Sequence, residues 1–376
     1  MLKSISLITA LLISLSLLSQ NTVRLELQSL PLSSTAEKFY VAGSFNNWNP
    51  TDEQYRFKRD DDKKIYFVEL QLAPGKYEYK ITRGAWDKVE TKKNGAGIDN
   101  RILVVPTNTA YELVIENWAD RFPAQPKKST ASKNVQIMND KFMLRELSTT
   151  RRIWIYLPPE YATSNKRYPV LYLHDGQNVF EDSSSFSGEW GVDEFMDTAR
   201  SNCIVVAIDH GGPKRMNEYS PYDMDRFGKG EGKQYVDFLA KTLKPYIDKQ
   251  YRTLKKKENT FIAGSSMGGL ISMYAILKYP KIFGGAGVFS PAFWVAPGIF
   301  DDITKKGEKI KGKIYFYAGK QESESMVPDL LKAFEKMHAV SKANMTILIR
   351  DEGKHNESTW RKEFPLFYDW LYGVDF

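Results

Sequence analysis

The most chemically pointed stretch of the chain is Gly264-Ser265-Ser266-Met267-Gly268-Gly269. It follows a short apolar run, 260–263, that reads as a strand, and it precedes a helical pattern over 269–277. G-x-S-x-G between a strand and a helix is the layout of a nucleophilic serine held on a sharp turn. Such a turn forces the serine into a strained backbone conformation. Side chains two residues to either side would collide, and glycines at 264 and 268 remove that collision. Ser266 then stands at the end of a strand with a helix N-terminus behind it, which favours developing negative charge.

A serine hydroxyl needs a base, and the base needs an acid to orient it. In this layout acid and histidine follow the serine in that order. Of the four histidines, only His338 and His355 lie beyond Ser266. His338 sits inside a helical pattern. His355 falls in a loop after the predicted strand 345–349, where a mobile base belongs, so His355 is the expected base. The acid is expected in the loop after the predicted strand 314–318. Glu322 is preferred there and Glu324 is the alternative, whereas Asp351 lies too near His355 on the same loop. The oxyanion is expected to take one backbone N–H from Met267 and one from Gln177, which follows the predicted strand 170–173. His174 and Asp175 read as residues that hold that loop by hydrogen bonds. Trp190, Phe293 and Trp294, close to predicted strand ends, are the expected wall of an acyl or aromatic pocket.

The elements that must position these residues form two domains. Of the 376 residues, 42% are hydrophobic, 26% charged and 13% aromatic, a globular mix that excludes disorder, collagen and coiled coil. Residues 21–118 carry short alternating patterns at 38–42, 65–72, 75–82, 101–105 and 110–115. Turn signals lie between them, as expected for an all-β, immunoglobulin-like sandwich. Residues 119–133 hold two prolines and three lysines from 120 onward and read as a linker. From 134 to 376 strand-like runs (152–157, 170–173, 204–208, 260–263, 286–289, 314–318, 345–349) alternate with helical patterns (191–199, 234–251, 269–277, 327–339, 358–372). That alternation implies an α/β domain with a mostly parallel sheet, its ligands gathering at the carboxyl ends of the strands.

Residues 1–20 read as an address. Lys3 precedes fourteen residues, 5–18, with only Ser and Thr as polar breaks. That is shorter than the roughly 20 residues a bilayer span needs, and it reads as a secretory signal peptide. No cysteine directly follows it to carry a lipoprotein anchor and no other stretch reads as a membrane span, so a secreted or periplasmic protein is expected. The single cysteine, Cys203, rules out an intrachain disulfide and a thiolate metal cluster. Four scattered histidines argue against a structural zinc site, and the chemistry above needs no metal or organic cofactor. The net charge is +7, while residues 21–118 hold fourteen basic and fourteen acidic residues, so the excess lies elsewhere. No nucleic-acid motif accompanies it, and nucleic acid is not an expected partner.

The second domain resembles the esterase-D-like esterases of the α/β-hydrolase superfamily, which include feruloyl, acetylxylan and enterochelin-type esterases and mycolyltransferases. The matching stretches are RRIWIYLPPEY (151–161), YPVLYLHDGQNVF (168–180), AIDHGG (207–212), NEYSP (217–221), FIAGSSMGGL (261–270), SPAFW (290–294), YFYAGKQES (315–323) and GKHNESTW (353–360). The resemblance implies Ser266, Glu322 and His355 as the triad, with Glu where many relatives carry Asp. The first domain resembles the glycogen-binding module of AMP-activated kinase β-subunits and starch-branching enzymes through VAGSFNNW (41–48), YEYKITRGAW (77–86) and Asn100. That resemblance implies sugar stacking on Trp48 and Trp86, with Lys80 and Asn100 bonding hydroxyls. The alternative is a rigid spacer with its tryptophans packed inward.

Together these features lead to the expectation of a serine carboxylic-ester hydrolase acting through an acyl-enzyme. Its expected substrate is an acetyl or hydroxycinnamoyl ester on a polysaccharide, the appended sugar-type module being the feature that points there. Alternatives are a ferric-siderophore trilactone esterase, an acyltransferase to a sugar, and a carbohydrate-binding surface protein without activity.

Overall fold

The computed structural model describes residues 21–31, 34, 38–46, 48–106, 110–122, 129–185, 188–199, 201–225 and 227–372. The expected signal peptide, 1–20, lies outside the described residues. The chain divides into two compact units, Met1–Gln125 and Pro126–Phe376.

The first unit is all-β, with strands β1 (Asn21–Ser29), β2 (Tyr40–Gly43), β3 (Lys58–Asp60), β4 (Ile65–Leu72), β5 (Gly75–Thr82), β6 (Glu90–Thr91), β7 (Arg101–Val105), β8 (Tyr111–Val114) and β9 (Asn117–Trp118). They make a four-stranded sheet, β3-β4-β1-β8, a three-stranded sheet, β2-β5-β7, and the pair β6-β9. Alternate residues from both larger sheets share one core. Val23, Leu25, Val68 and Leu70 come from the first, and Val41, Ile81 and Leu103 from the second. Trp118 is fully buried there. Its ring stacks on Phe39 at 5.6 Å and its indole N–H donates to Ser34 Oγ at 2.9 Å. Arg83 lies over the ring at 5.1 Å and pairs with Asp120.

In the second unit the strands are β10 (Val135–Leu144), β11 (Thr149–Tyr156), β12 (Val170–His174), β13 (Ile204–Ile208), β14 (Thr260–Ser265), β15 (Gly285–Phe289), β16 (Lys313–Gly319) and β17 (Asn344–Arg350). One eight-stranded sheet has the order β10-β11-β13-β12-β14-β15-β16-β17. Only β10 to β11 and β11 to β13 pair antiparallel; the rest of the sheet is parallel. Successive residues of one strand serve opposite cores. Tyr172, Val206 and Ile262 face one cluster, and Leu171, Val205 and Ala263 face the other. Both faces are thus buried, which is why these strands read as unbroken apolar runs.

The helices are α1 (Val192–Thr198), α2 (Arg215–Tyr219), α3 (Gly232–Phe238), α4 (Lys244–Gln250), α5 (Met267–Lys278), α6 (Gly298–Lys306), α7 (Met326–Val340) and α8 (Glu357–Tyr372). The pattern over 234–251 predicts one helix, but the structure breaks it with a π-turn, Leu239–Leu243, between α3 and α4. Pro245, just inside α4, supplies no N–H and crowds the preceding turn, and the wider turn accommodates it. β10 was not expected as a strand. It lies on the sheet edge with most residues exposed or half-buried, so it carries little apolar signal.

The last residues of the expected linker are hydrogen-bonded into this unit. Ser129 Oγ donates to Glu181 at 2.5 Å, Thr130 Oγ1 to Glu189 at 3.0 Å, and the Ser132 N–H to Asp193 at 2.7 Å. Residues 123–128 lie outside the described residues. Cys203 is fully buried under the Tyr372 hydroxyl, which donates to Sγ at 2.9 Å, and burial pushes its thiol up to about 12.

Replacing Trp118 by Ala is expected to cost about 3–5 kcal/mol, because it removes a large buried ring and the partner of the Ser34 hydroxyl. The readout is the urea midpoint of the first unit's unfolding transition.

Candidate active site

Ser266 stands between the end of β14 and the start of α5, with φ 59° and ψ −120°, a region that non-glycine residues rarely adopt. Neighbouring backbone holds the strain. The Ser266 N–H donates to the Phe289 carbonyl at 2.9 Å, and the Ser266 carbonyl accepts from Ala292 N at 3.0 Å and Leu270 N at 3.1 Å. The flanking glycines sit where a side chain would press on its neighbours. A Cβ at 264 would sit 3.0 Å from the Gly268 carbonyl carbon and from the His174 ring, and one at 268 would sit 3.2 Å from His174 Cβ.

The acid and base expectations meet in one pair. Glu322 follows β16 and its side chain has 0% exposure, while His355 follows β17 at 39%. His355 Nδ1 lies 2.6 Å from Glu322 Oε2. The other carboxylate oxygen accepts from the Ser290 hydroxyl at 2.8 Å and the Gly319 N–H at 2.6 Å. Ser290 in turn accepts from the Trp360 indole N–H at 3.0 Å, and the His355 ring packs edge-on against Trp360 at 5.1 Å. Glu324 is exposed, and His338 lies on α7 stacked on Phe334, so neither alternative joins the pair. A carboxylate on Nδ1 leaves Nε2 as the nitrogen available to a hydroxyl. Among the described residues no hydrogen bond joins Ser266 to His355. Such contacts are commonly long until substrate is bound.

The loop after β12 completes the region. Gly176 packs so tightly that a Cβ would come within 2.9 Å of Ala207 and Asp209 backbone. Gln177 follows it in a 3-10 turn, and its Oε1 accepts from the His210 N–H at 3.2 Å. The Gln177 N–H precedes the turn's own hydrogen bonds, which run from Asn178 N and Val179 N. Likewise Met267 N is the first of α5. Asp175 takes a left-handed conformation and receives Arg215 through two bonds, Nε at 2.6 Å and Nη2 at 2.8 Å; Nη2 also reaches the Ser265 carbonyl at 3.5 Å. Burial raises the Asp175 carboxyl, but Arg215 outweighs it and holds the group below the usual range. His174 lies buried beneath the turn with Nδ1 2.9 Å from the Tyr235 hydroxyl, and burial lowers it to about 3.

The expected wall is only partly formed. Phe293 has 0% exposure and packs on Phe300, so it is core and offers no surface to a substrate. Trp190, at 5%, packs on Phe289 and Trp360 and braces the site from behind. Trp294 is exposed at 53%. Sequence reasoning missed Ser290, Arg215, Glu357 and Trp360 as parts of this region. For Ser290 the sequence offers only its place after the strand beside the nucleophile, and for Glu357 and Trp360 only their nearness to His355; residue type marks none of them, and Arg215 has no local signal. A cavity of about 720 Å³ lined by Arg167, Phe261, Lys313 and Tyr372 lies at the opposite, amino ends of the strands. Among the described residues no cluster of His, Cys, Asp and Glu has the makings of a metal site.

In the first unit Trp48 and Trp86 are half-buried with ring centroids 6.2 Å apart, and Trp118 is the inward-packed indole. Lys80 Nζ donates to the Ile98 carbonyl at 2.6 Å, and Asn100 Nδ2 to Glu78 at 2.9 Å. Burial lowers the Lys80 ammonium.

Comparison with known proteins gives two family matches. The family described as "Putative esterase" matches residues 145–367, and "Pullulanase X25 domain" matches residues 38–120. An uncharacterized protein of Bacillus subtilis, YbbA, is 27% identical over 241 residues, covering 59% of this chain and 93% of that one. An endo-1,4-beta-xylanase/feruloyl esterase of Xylanibacter ruminicola is 28% identical over 216 residues, covering 55% of this chain and 27% of that one. Among solved structures, an enterobactin esterase of Shigella flexneri superposes with a TM-score of 0.55 at 16% identity, covering 94% of this chain and 93% of that one. At that identity the likeness speaks to fold.

Two outcomes are expected here. Ser290→Ala takes a donor from a buried carboxylate, and kcat for ester hydrolysis falls roughly tenfold with KM little changed. Steady-state kinetics checks this. His174 binds its proton less readily folded than unfolded, so its contribution is complete above about pH 6.5 and is lost as the pH falls toward about 3. His174→Gln removes up to about 1.4 kcal/mol per pH unit from that slope. Urea midpoints at pH 7 and pH 4.5 measure the difference.

Proposed function

The chain belongs to the esterase family whose model it matches, and it is a carboxylic-ester hydrolase; we propose that Ser266, His355 and Glu322 carry its reaction. The observation that carries this reading is the 2.6 Å pair of His355 Nδ1 and buried Glu322, formed at the strand ends beside the strained serine. Ser266 Oγ attacks the ester carbonyl carbon while His355 Nε2 takes its proton. The N–H groups of Met267 and Gln177 hold the oxyanion. His355 then gives the proton to the departing alcohol oxygen as the acyl–oxygen bond breaks. Water, deprotonated by His355, attacks the acyl-serine and releases the acid and the serine hydroxyl. Glu322 keeps the imidazole in the required tautomer.

The substrate class in this reading is an acetyl or hydroxycinnamoyl ester on a polysaccharide. It is supported by the pullulanase-type match over 38–120, by the relative whose name joins xylanase and feruloyl esterase, and by the half-buried Trp48–Trp86 pair. The first unit serves to hold sugar through Trp48, Trp86, Lys80 and Asn100. Residues 1–20 serve as an export signal, which places the enzyme outside the cytoplasm where such polymers lie.

The test offers acetylated xylan, methyl ferulate and a ferric catecholate trilactone at equal ester concentration to the protein and its Ser266→Ala variant. Acetate or ferulate release is expected, reduced at least about a thousandfold in the variant. Turnover that survives in the variant overturns the mechanism. Release from the trilactone alone overturns the substrate class.

A further inference from the structure

Beside His355 lies an acid for which the proposed triad has no use. Glu357 opens α8 two residues after His355, and its side chain is only partly open to water. Its Oε1 accepts from Asn178 Nδ2 at 3.1 Å, and Asn178 directly follows Gln177. Glu357 thus spans the gap between the loop expected to hold the oxyanion and the loop that carries the base. The charges it feels are those of Asp175, His355 and Arg215.

The electrostatic sum at this gap is unequal. Arg215 is committed to Asp175 through two nitrogens, so that pair is close to neutral and presents no cation to a ligand. The Glu322 carboxylate is spent on His355, Ser290 and Gly319 and, at 0% exposure, faces away from the gap's ligand side. Among the described residues no ion pair engages Glu357, whose carboxylate takes the Asn178 amide and its own backbone N–H. Such a group accepts a hydrogen bond from a hydroxyl and repels an anion. Burial, and then Asp175, raise its carboxyl above the usual range, and in its neutral form it donates to a hydroxyl instead. Its place also tells which half of the ester it meets. The base delivers its proton to the departing alcohol, so a group beside the base lies on the alcohol side.

We propose that Glu357 is a specificity-determining residue that reads a hydroxyl on the alcohol half of the ester, selecting esters of neutral polyols over esters whose alcohol carries an anionic group. This rests on the esterase reading above. It adds the charge and hydroxyl requirement of the leaving group, which neither the triad nor the sugar-type module supplies.

The test uses three matched acetates with the full chain: methyl 2-O-acetyl-xyloside, methyl 2-O-acetyl-glucuronoside, which adds one carboxylate to the same ring, and cyclohexyl acetate, which has no hydroxyl. The unmodified protein is expected to favour the xyloside over the other two in kcat/KM. Glu357→Gln keeps the size and an oxygen for Asn178 but removes the charge. It raises the glucuronoside-to-xyloside ratio about tenfold. Asn178→Asp adds a carboxylate at the same gap and moves the ratio the other way. Equal changes on all three esters in Glu357→Gln would make the residue a brace for His355 and overturn the assignment, as would an unmodified protein that prefers the glucuronoside. Turnover that persists in Ser266→Ala would instead sink the esterase mechanism itself, so the two failures are told apart.

Discussion

A carboxylate shut away from water dominates the energetics of this molecule's strand ends. Leaving an unpaired charge in that position costs several kcal/mol, and the chain avoids the cost by surrounding Glu322 with three donors. The donors come from three places: Gly319 at the end of β16, Ser290 after β15, and His355 after β17. None can move far without exposing the charge. Ser290 is itself held by Trp360 and by its own N–H on the Tyr317 carbonyl at 2.7 Å. The segment that carries Ser290 also holds the strained serine, through the Phe289 carbonyl and the Ala292 N–H. Satisfying one buried charge therefore brings the loops after β14, β15, β16 and β17 into mutual register. The longer glutamate side chain suits this role, since it reaches back to Gly319 while pointing the other oxygen at the imidazole.

On the other side of the serine the logic is reversed. There a cation, Arg215, is used to pin a loop. It grips Asp175 and leans on the carbonyl just before Ser266, so the turn that carries Gln177 is tied to the nucleophile's own backbone. Beneath both lies His174, kept neutral by burial, filling space that a charged group would disrupt. The proposed reaction thus sits between an acid-centred network that positions a base and a cation-centred network that positions backbone N–H groups.

How much of this was legible in the sequence depended on whether the signal was local. The parallel strands were readable because burial on both faces writes itself as continuous apolar residues. The serine turn was readable because its glycines, strand and helix are contiguous. Glu322 and His355 were reachable from chain order and from loops placed after strands. β10 was not seen, since an edge strand with an exposed face has no such run, and the π-turn before Pro245 was hidden inside a good helical pattern. Ser290, Arg215 and Glu357 were beyond reach for a different reason. Their importance comes from which loops the sheet order brings side by side, and a serine, an arginine or a glutamate in a loop carries no mark of that. Phe293 fails in the opposite way, because an aromatic residue near a strand end looks the same whether it lines a cleft or fills a core.

The buried thiol has a practical corollary. Cys203 is the one sulfhydryl in the chain, sealed within the sheet's core and held in its protonated form. Alkylating and oxidising reagents, which act on thiolates they can reach, find no purchase on the closed molecule. Any covalent tag on that sulfur marks a chain whose hydrolase core has opened, so the protein carries its own single-site clock for unfolding, read by mass and independent of ester turnover.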